Sequence, residues 1–467
     1  MSALSTSLTI AAGSMQVSTL GIQTAGSNLS NVANPTYSRE RLNLAASSGG
    51  GATIVDISGL RDKIVDSQVV REGGNLAYIE GMQGALQLAQ VGLGQQIDRQ
   101  SATPEAGAAA QNLGGQMAIA NGLSEFFNSV QSASLSPSSV GDRQVLLMKA
   151  SQLTDKINAV DGRLATMQAD LGTDILVKVA DANSLIKSAA STATAAMAAQ
   201  QSGSGSAAVL NDAAQNRLAS LGKLIGFTVS HDDLNRITVT VGGIKLVDSG
   251  DAAGNLQVVQ DANGNPTIQA VSADGKTVAP LDSRGELMGI IDARDGAIQT
   301  LRSQLNTLSK SLITQVNAVH SSGMGLDGTS GESFFTGTGA GNIGVNKTLS
   351  DDVRKIQLSS DGTSGNNETA LALASLAAQP VKELGNLTFS QHYNQTVAQF
   401  GQVLSGVNNR QADQAVLTAA LEKQRDSISG VSQDEEMASL ITYQRAFQAS
   451  AKVISMVDEI MKTIIDL

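Results

Sequence analysis

The chain has 467 residues, three histidines, a net charge of −11, no cysteine, and only 3% aromatic residues with no tryptophan. The acidic balance leaves no basic stripe for a phosphate backbone or an anionic lipid surface, and the missing thiols exclude disulfides, thiol nucleophiles and thiolate metal sites. So few aromatics make Ala, Leu, Ile, Val and Met the expected core fillers, a mixture suited to long helices.

The first segment carries no Asp, Glu, Lys, Arg or His before Arg39. Leu4, Leu8, Ala11, Met15, Ser18, Ile22, Ala25, Leu29 and Val32 recur at alternating steps of four and three, a heptad seam that predicts an amphipathic helix with a neutral polar face. Pro35 disfavours helix at Asn34 and predicts the stop. The start reads as no cleavable signal peptide: it lacks Lys or Arg near Met1, and polar residues interrupt its apolar run.

Residues from roughly 60 to 225 read as helix, with Ser136-Pro137 as a cap and first turn and Gln200–Ala208 as a flexible break. Near Gly226 the texture changes to strands and turns. Val239, Val241 and Ile268 are β-branched, and Asn263-Gly264 is a turn signal. Helix resumes at Gly285, with a stripe from Ile298 to Val319. A loop-rich stretch runs from Ser321 to about Asn367, and helix then continues to about Ser427. Leu440, Tyr443, Phe447, Ser450, Ile454, Val457, Met461 and Ile464 form a closing heptad stripe similar in length to the first, which suggests that the two ends lie together.

This order predicts a mainly α fold: paired terminal coiled-coil helices (1–45 and 429–467), an elongated helical domain (46–226 and 286–428) and a small inserted outer β domain (227–285). No cofactor, metal or catalytic residue is expected. His231, His320 and His392 are scattered, and two GxGxxG matches at Gly323–Gly328 and Gly339–Gly344 lie in a loop, where chance supplies such patterns. Asp434-Glu435-Glu436 reads as a helix start favoured by the dipole.

The stretch SNLSNVANPTYSRERLNL, with Asn28, Asn31, Asn34, Pro35, Tyr37 and Arg39, resembles the Asn-rich turn of bacterial flagellar axial proteins, and Ser429–Leu467 resembles their C-terminal helix. Leu123–Asn158, Gly285–Gly323 and Leu387–Gly401 resemble the hook-associated protein 1 family more than hook or rod proteins. The family's usual Thr-Pro-Gly-Tyr turn reads Asn34-Pro35-Thr36-Tyr37 here. The resemblance implies a non-enzymatic structural protein at the hook–filament junction, exported unfolded through the flagellar type III apparatus with an uncleaved signal, and extracellular in the flagellum. It implies as partners copies of itself, flagellar hook protein, a second junction protein and an export chaperone, with no nucleic acid and no membrane insertion. The alternatives are another axial component, hook or rod, and less favoured, a secreted enzyme or adhesin with axial-type termini.

Overall fold

The computed structural model describes residues 2–34, 37–47, 50–94, 119–201, 207–231, 236–262, 264–282 and 284–465. The fold is mainly α, with long helices at both ends and a small sheet-bearing insert. The chain divides into two compact units, Met1–Tyr78 with Val177–Leu287 and Asp413–Leu467, and Ile79–Leu176 with Met288–Ala412.

The first unit holds helix α1 (Ser2–Ser30), the antiparallel hairpin β1 (Glu40–Ala46) and β2 (Ala52–Gly59), and the start of α2 (Lys63–Gly92). The hairpin is absent from the sequence reading. Its signal lies in the facing apolar pairs Leu42–Ile57 and Leu44–Ile54 and in Gly50-Gly51, whose φ angles of 88° and 85° need glycine. Short strands of this kind are easily lost beside two 30-residue helices.

The β block follows α5 (Ala207–Leu224). It forms a four-stranded sheet, β3 (Thr228–His231), β4 (Ile237–Val241), β5 (Ile244–Asp248) and β6 (Asp251–Ala252), and a three-stranded sheet, β7 (Gly254–Gln260), β8 (Pro266–Ser272) and β9 (Val278–Pro280). All pairings are antiparallel. Val239, Val241, Leu246, Leu256 and Ile268 are buried. Gly242-Gly243, at φ 55° and 86°, closes the β4–β5 hairpin with positive φ at both central residues. The expected Asn-Gly turn lies partly outside the described residues at Asn263. Asn183 fastens the block to the long helix α4 (Val140–Gln201): its amide donates to the Leu256 carbonyl at 2.9 Å and accepts from the Leu256 N–H at 2.8 Å.

The second unit corrects the expectation about aromatics. Five of the eight phenylalanines, Phe126, Phe127, Phe334, Phe335 and Phe389, meet in one cluster with ring centroids 4.9–5.9 Å apart. The composition counts rings across the chain, whereas packing concentrates them where α3 (Ile119–Leu135) meets the loop after α7 (Gln299–His320) and the start of α10 (Phe389–Ser429).

Polar side chains clasp that loop, Asn317 half-buried and Arg143 and His320 buried. Asn317 accepts from the N–H groups of Phe334 and Phe335 and donates to the Phe335 carbonyl. Arg143, fully buried, donates to the carbonyls of Pro137 and Ile356, and burial pushes its guanidinium down to about 10. His320 has no exposed surface. Its Nε2 accepts from the Gln357 N–H at 3.0 Å, and its Nδ1 lies 2.7 Å from the Glu332 carbonyl. This fixes a neutral ring protonated at Nδ1.

Burial pushes the His320 pKa down from 6.5 to about 4. The folded ring is neutral, so the unfolded chain binds the extra proton between those values. The stabilisation is fully present above about pH 6.5 and is lost as the pH falls towards 4, on the order of 3 kcal/mol. Urea denaturation followed across that range should therefore fall more steeply for the natural chain than for His320→Gln. Equal slopes would show that the ring titrates freely.

Candidate assembly site

The two ends of the chain meet as an antiparallel helix pair, α1 with α11 (Gln433–Ile465). Three contacts fix the register. The Asn28 amide donates to Glu436 at 3.0 Å, Gly21 faces the Tyr443 ring, and the hydroxyls of Ser14 and Ser450 meet at 3.0 Å. Each step of seven residues back along α1 matches a step of seven forward along α11, which is heptad pairing.

The seam on α1 is made of small and polar residues. Ala11, Val17, Ser18, Gly21, Thr24, Ala25 and Asn28 are buried. Of the expected stripe, Ala11 and Ala25 lie in this seam. Leu4, Met15, Ile22 and Leu29 are half-buried, Leu8 is exposed, and Val32 is exposed beyond the helix end. On α11, Val457 is buried, while Leu440, Tyr443, Phe447, Ile454 and Met461 are half-buried, and Ile464 is exposed. The buried hydroxyls of Ser18, Thr24 and Ser450 each donate to the carbonyl four residues back, so they pack without an unmet donor.

A Cβ built on Gly21 would stand 2.6 Å from ring carbons of Tyr443. The backbone of α1 thus approaches the ring closely because position 21 has no side chain.

At the end of α1 the chain turns, and Asn28 organises the turn. Its amide nitrogen donates to the Glu40 carbonyl at 2.9 Å and to Glu436 at 3.0 Å. Its oxygen accepts from the Glu40 N–H and from the Tyr37 hydroxyl, both at 2.8 Å. Two donors and two acceptor positions are all an asparagine side chain has, and all are used at 1% exposure. Burial pushes the Tyr37 phenol from its ordinary 10 up to about 12. Asn31 donates to the Ser27 carbonyl at 2.9 Å, and Asn34, exposed, donates to Asn31 at 3.4 Å. Pro35 lies outside the described residues.

Arg39 continues the network. Its Nε donates to Glu436 at 2.7 Å and its Nη1 to Glu435 at 2.6 Å, while its backbone N–H donates to the Ser429 carbonyl at 2.9 Å. Burial works against the guanidinium charge, but the two carboxylates outweigh it and raise its pKa. Burial also raises the pKa of Glu40, with Asp212 adding to it. The acidic run at 434–436 therefore does more than favour a helix start: Glu436 is buried and serves both Asn28 and Arg39. Ser38 anchors the turn to α5, donating to Asp212 through its N–H at 2.8 Å and its hydroxyl at 2.6 Å. Arg61 reaches the same carboxylate at 3.0 Å and Asp66 at 3.1 Å. Asp212, Arg61 and Glu436 carry no local sequence signal for this role, because their partners lie up to 408 residues away.

Among the described residues no group of three or more metal-ligating side chains converges, and no helix is long and apolar enough to cross a membrane. The two chain ends are held in one register by a buried polar knot, the pairing that the resemblance to flagellar axial proteins implies.

The comparisons with known proteins agree with that class. The pattern of the flagellar hook-associated protein FlgK helical domain matches residues 111–335, and that of the flagellar basal body rod FlgEFG protein C-terminal region matches 423–467. Flagellar hook-associated protein 1 of Bacillus subtilis is 21% identical over 501 residues, spanning 95% of this chain and 94% of its own. The Salmonella typhimurium protein of the same name is 22% identical over 75% of this chain and 81% of its own. The structure of the flagellar hook junction protein FlgK from Burkholderia pseudomallei shares the fold, with a TM-score of 0.62 at 14% identity over 78% of this chain and all of its own. Together these likenesses support the flagellar hook-associated protein 1 family for this chain.

Asn28→Ala should leave the Glu40 N–H and one Glu436 oxygen without their partner, at about 1–3 kcal/mol for each buried group left unmet. Amide exchange at Glu40 should rise while exchange in the β block is unchanged. Unaltered exchange at Glu40 would show that water replaces the amide freely. Gly21→Ala should force the helices apart at Tyr443, costing about 1–3 kcal/mol of pairing, and Tyr443→Ala should relieve most of that cost. Additive effects in the double variant would rule out the close approach as the cause.

Proposed function

We propose that this chain is a structural subunit that joins the flagellar hook to the filament and assembles through its paired terminal helices. The observation that carries the reading is the heptad register between two chain ends more than 400 residues apart, closed by Asn28 and Glu436. The exposed face of α1 supports it: Ser5, Ser7, Thr9, Gln16, Thr19 and Gln23 are polar but uncharged. Such a face suits close subunit contact or a channel lining past which other chains travel, because a fixed charge would attract or repel each one. Exposed Met437, Ile441, Met456, Ile460 and Ile464 leave α11 a further apolar surface for neighbours.

In this reading residues 1–45 and 429–467 are the assembly domain, 46–226 and 286–428 the helical domain, and 227–285 an outer β domain. The assembly contacts run through Leu4, Leu8, Ala11, Met15, Ile22, Ala25, Leu29 and Val32, and through Leu440, Tyr443, Phe447, Ile454, Val457, Met461 and Ile464. The Asn28–Arg39 turn leads the chain outward. The protein leaves the cell unfolded with its N-terminal segment retained and becomes part of the extracellular flagellum. Its partners are copies of itself, hook protein and a second junction protein, and before export a chaperone. It has no enzymatic activity.

Deleting the gene should give hooks without filaments in electron micrographs, with flagellin lost to the medium. Filaments of normal number and length on the deletion strain would refute the junction role.

A further inference from the structure

The first unit contains a cleft of about 940 Å³ whose two sides are strand edges. One side is β2, which among the described residues pairs only with β1, and six consecutive residues, Ile54 to Gly59, line the cleft. That is roughly 20 Å of extended chain. The other side is β3, the end strand of the four-stranded sheet, through Thr228 and Val229. Helix α5 contributes Asn211, Asp212 and Leu218 between them, and α1 contributes Leu20.

An unpaired edge presents a row of backbone donors and acceptors that another strand can satisfy. Two such edges facing one cleft are a receptor for an extended segment, and the β edges supply affinity while side chains supply selection. The β2 edge is interrupted by a bulge. Asn43 pairs with Asp56 and Leu44 with Ile54, so Val55 has no partner in the ladder. A bulge re-aims a side chain, and Val55 lines the cleft while 65% exposed. Ile64, at 70% exposure, and Val229, at 36%, line it too. Three aliphatic side chains left in water around one cleft mark an interaction site more than a resting surface.

We infer that this cleft receives an extended segment of a second copy of the chain, with main-chain pairing to β3 and to β2 beyond its bulge, and with Val55 as the apolar anchor. One observation selects a second copy. The cleft is continuous with α1 through Leu20, on the helix that the proposed function sets against neighbouring copies, so the inference rests on that reading. The arginines around it are already paired, Arg61 with Asp66 and Asp212, Arg71 with Glu72 and Arg284 with Asp282, so the strand edges and the exposed aliphatic side chains carry the recognition.

The test places a photo-reactive benzoylphenylalanine at position 55 of the full chain in cells and irradiates the intact flagella. A second label at Met148, which is 48% exposed in the second unit, is the control. The expected product from position 55 is a covalent pair of two copies of this chain, absent from the control. An adduct with a different protein, or none above the control, overturns the inference. Immunolabelling of the same flagella separates the two readings: a chain missing from the hook–filament boundary removes the junction role and the inference together, whereas a chain present there without self-adduct removes the inference alone. Val55→Lys, which puts an unpaired charge at the anchor, should cut the copies retained per junction by roughly tenfold, with β-block amide exchange unchanged. Full retention would equally overturn it.

Discussion

A buried asparagine amide is tolerable only when every one of its hydrogen-bonding positions is filled, and Asn28 meets that condition with groups from three residues in two parts of the chain. Tyr37 and the Glu40 backbone come from the turn, and Glu436 comes from the other end of the sequence. The requirement leaves little latitude. Aspartate would lose both donors and face Glu436 with a second carboxylate, and an apolar isostere would strand the Glu40 N–H and the carboxylate together. Once Asn28 is satisfied, Arg39 lies where it reaches Glu435, Glu436 and the Ser429 carbonyl, and Ser38 lies against Asp212. The register of the helix pair, the exit path of the turn and its attachment to α5 all follow from the same set of bonds.

The helix pair gains its geometry from small residues more than from apolar area. Gly21, Ala11 and Ala25 allow close approach, but they bury little surface, and at ~25 cal/mol per Å² little surface means little driving force. Large side chains that could add to it, among them Leu8, Ile10, Met456 and Ile460, remain exposed. Such a seam defines which residues meet without by itself providing a strong reason to stay together. The polar knot at one end and neighbours along the exposed stripes complete it.

How much of this was legible depends on where the partners lie. The closing stripe was readable as a helix, and its spacing follows the packed face from Leu440 to Met461, with Val457 buried and its other apolar members half-buried, but not at Ile464, which is exposed. The opening stripe was readable as a helix, but the buried face is centred on Gly21, Thr24 and Asn28, residues that a search for apolar periodicity passes over. The asparagine turn was recognisable through family likeness, but the bonds that make it work, to Asp212 and Glu436, join positions 174 and 408 residues apart. No local pattern encodes such a distance. The β1–β2 hairpin was missed for a different reason: Arg41, Asn43 and Asp56 alternate with apolar residues over only seven or eight positions, too few to stand out. The phenylalanine cluster was hidden by averaging, since 3% aromatic residues says nothing about their meeting in one place.

That separation in sequence also bears on when the site can form. Closing a loop costs slowly more with length, roughly 0.6 kcal/mol per doubling, so a 400-residue separation is not prohibitive in itself. The cost lies in waiting: contacts between distant residues cannot reward the chain until everything between them is available. Once the intervening helices and sheets have folded, α5 presents Asp212 to Ser38, and the end of α10 presents the Ser429 carbonyl to Arg39. The two ends are then delivered to each other by folded structure, not by search through a flexible coil. The terminal pair is therefore the last part of the molecule with reason to become ordered, because its own seam is thin and its anchors are supplied by the rest. In the function proposed above, a site completed last suits a subunit whose ends stay free until it reaches the structure it joins.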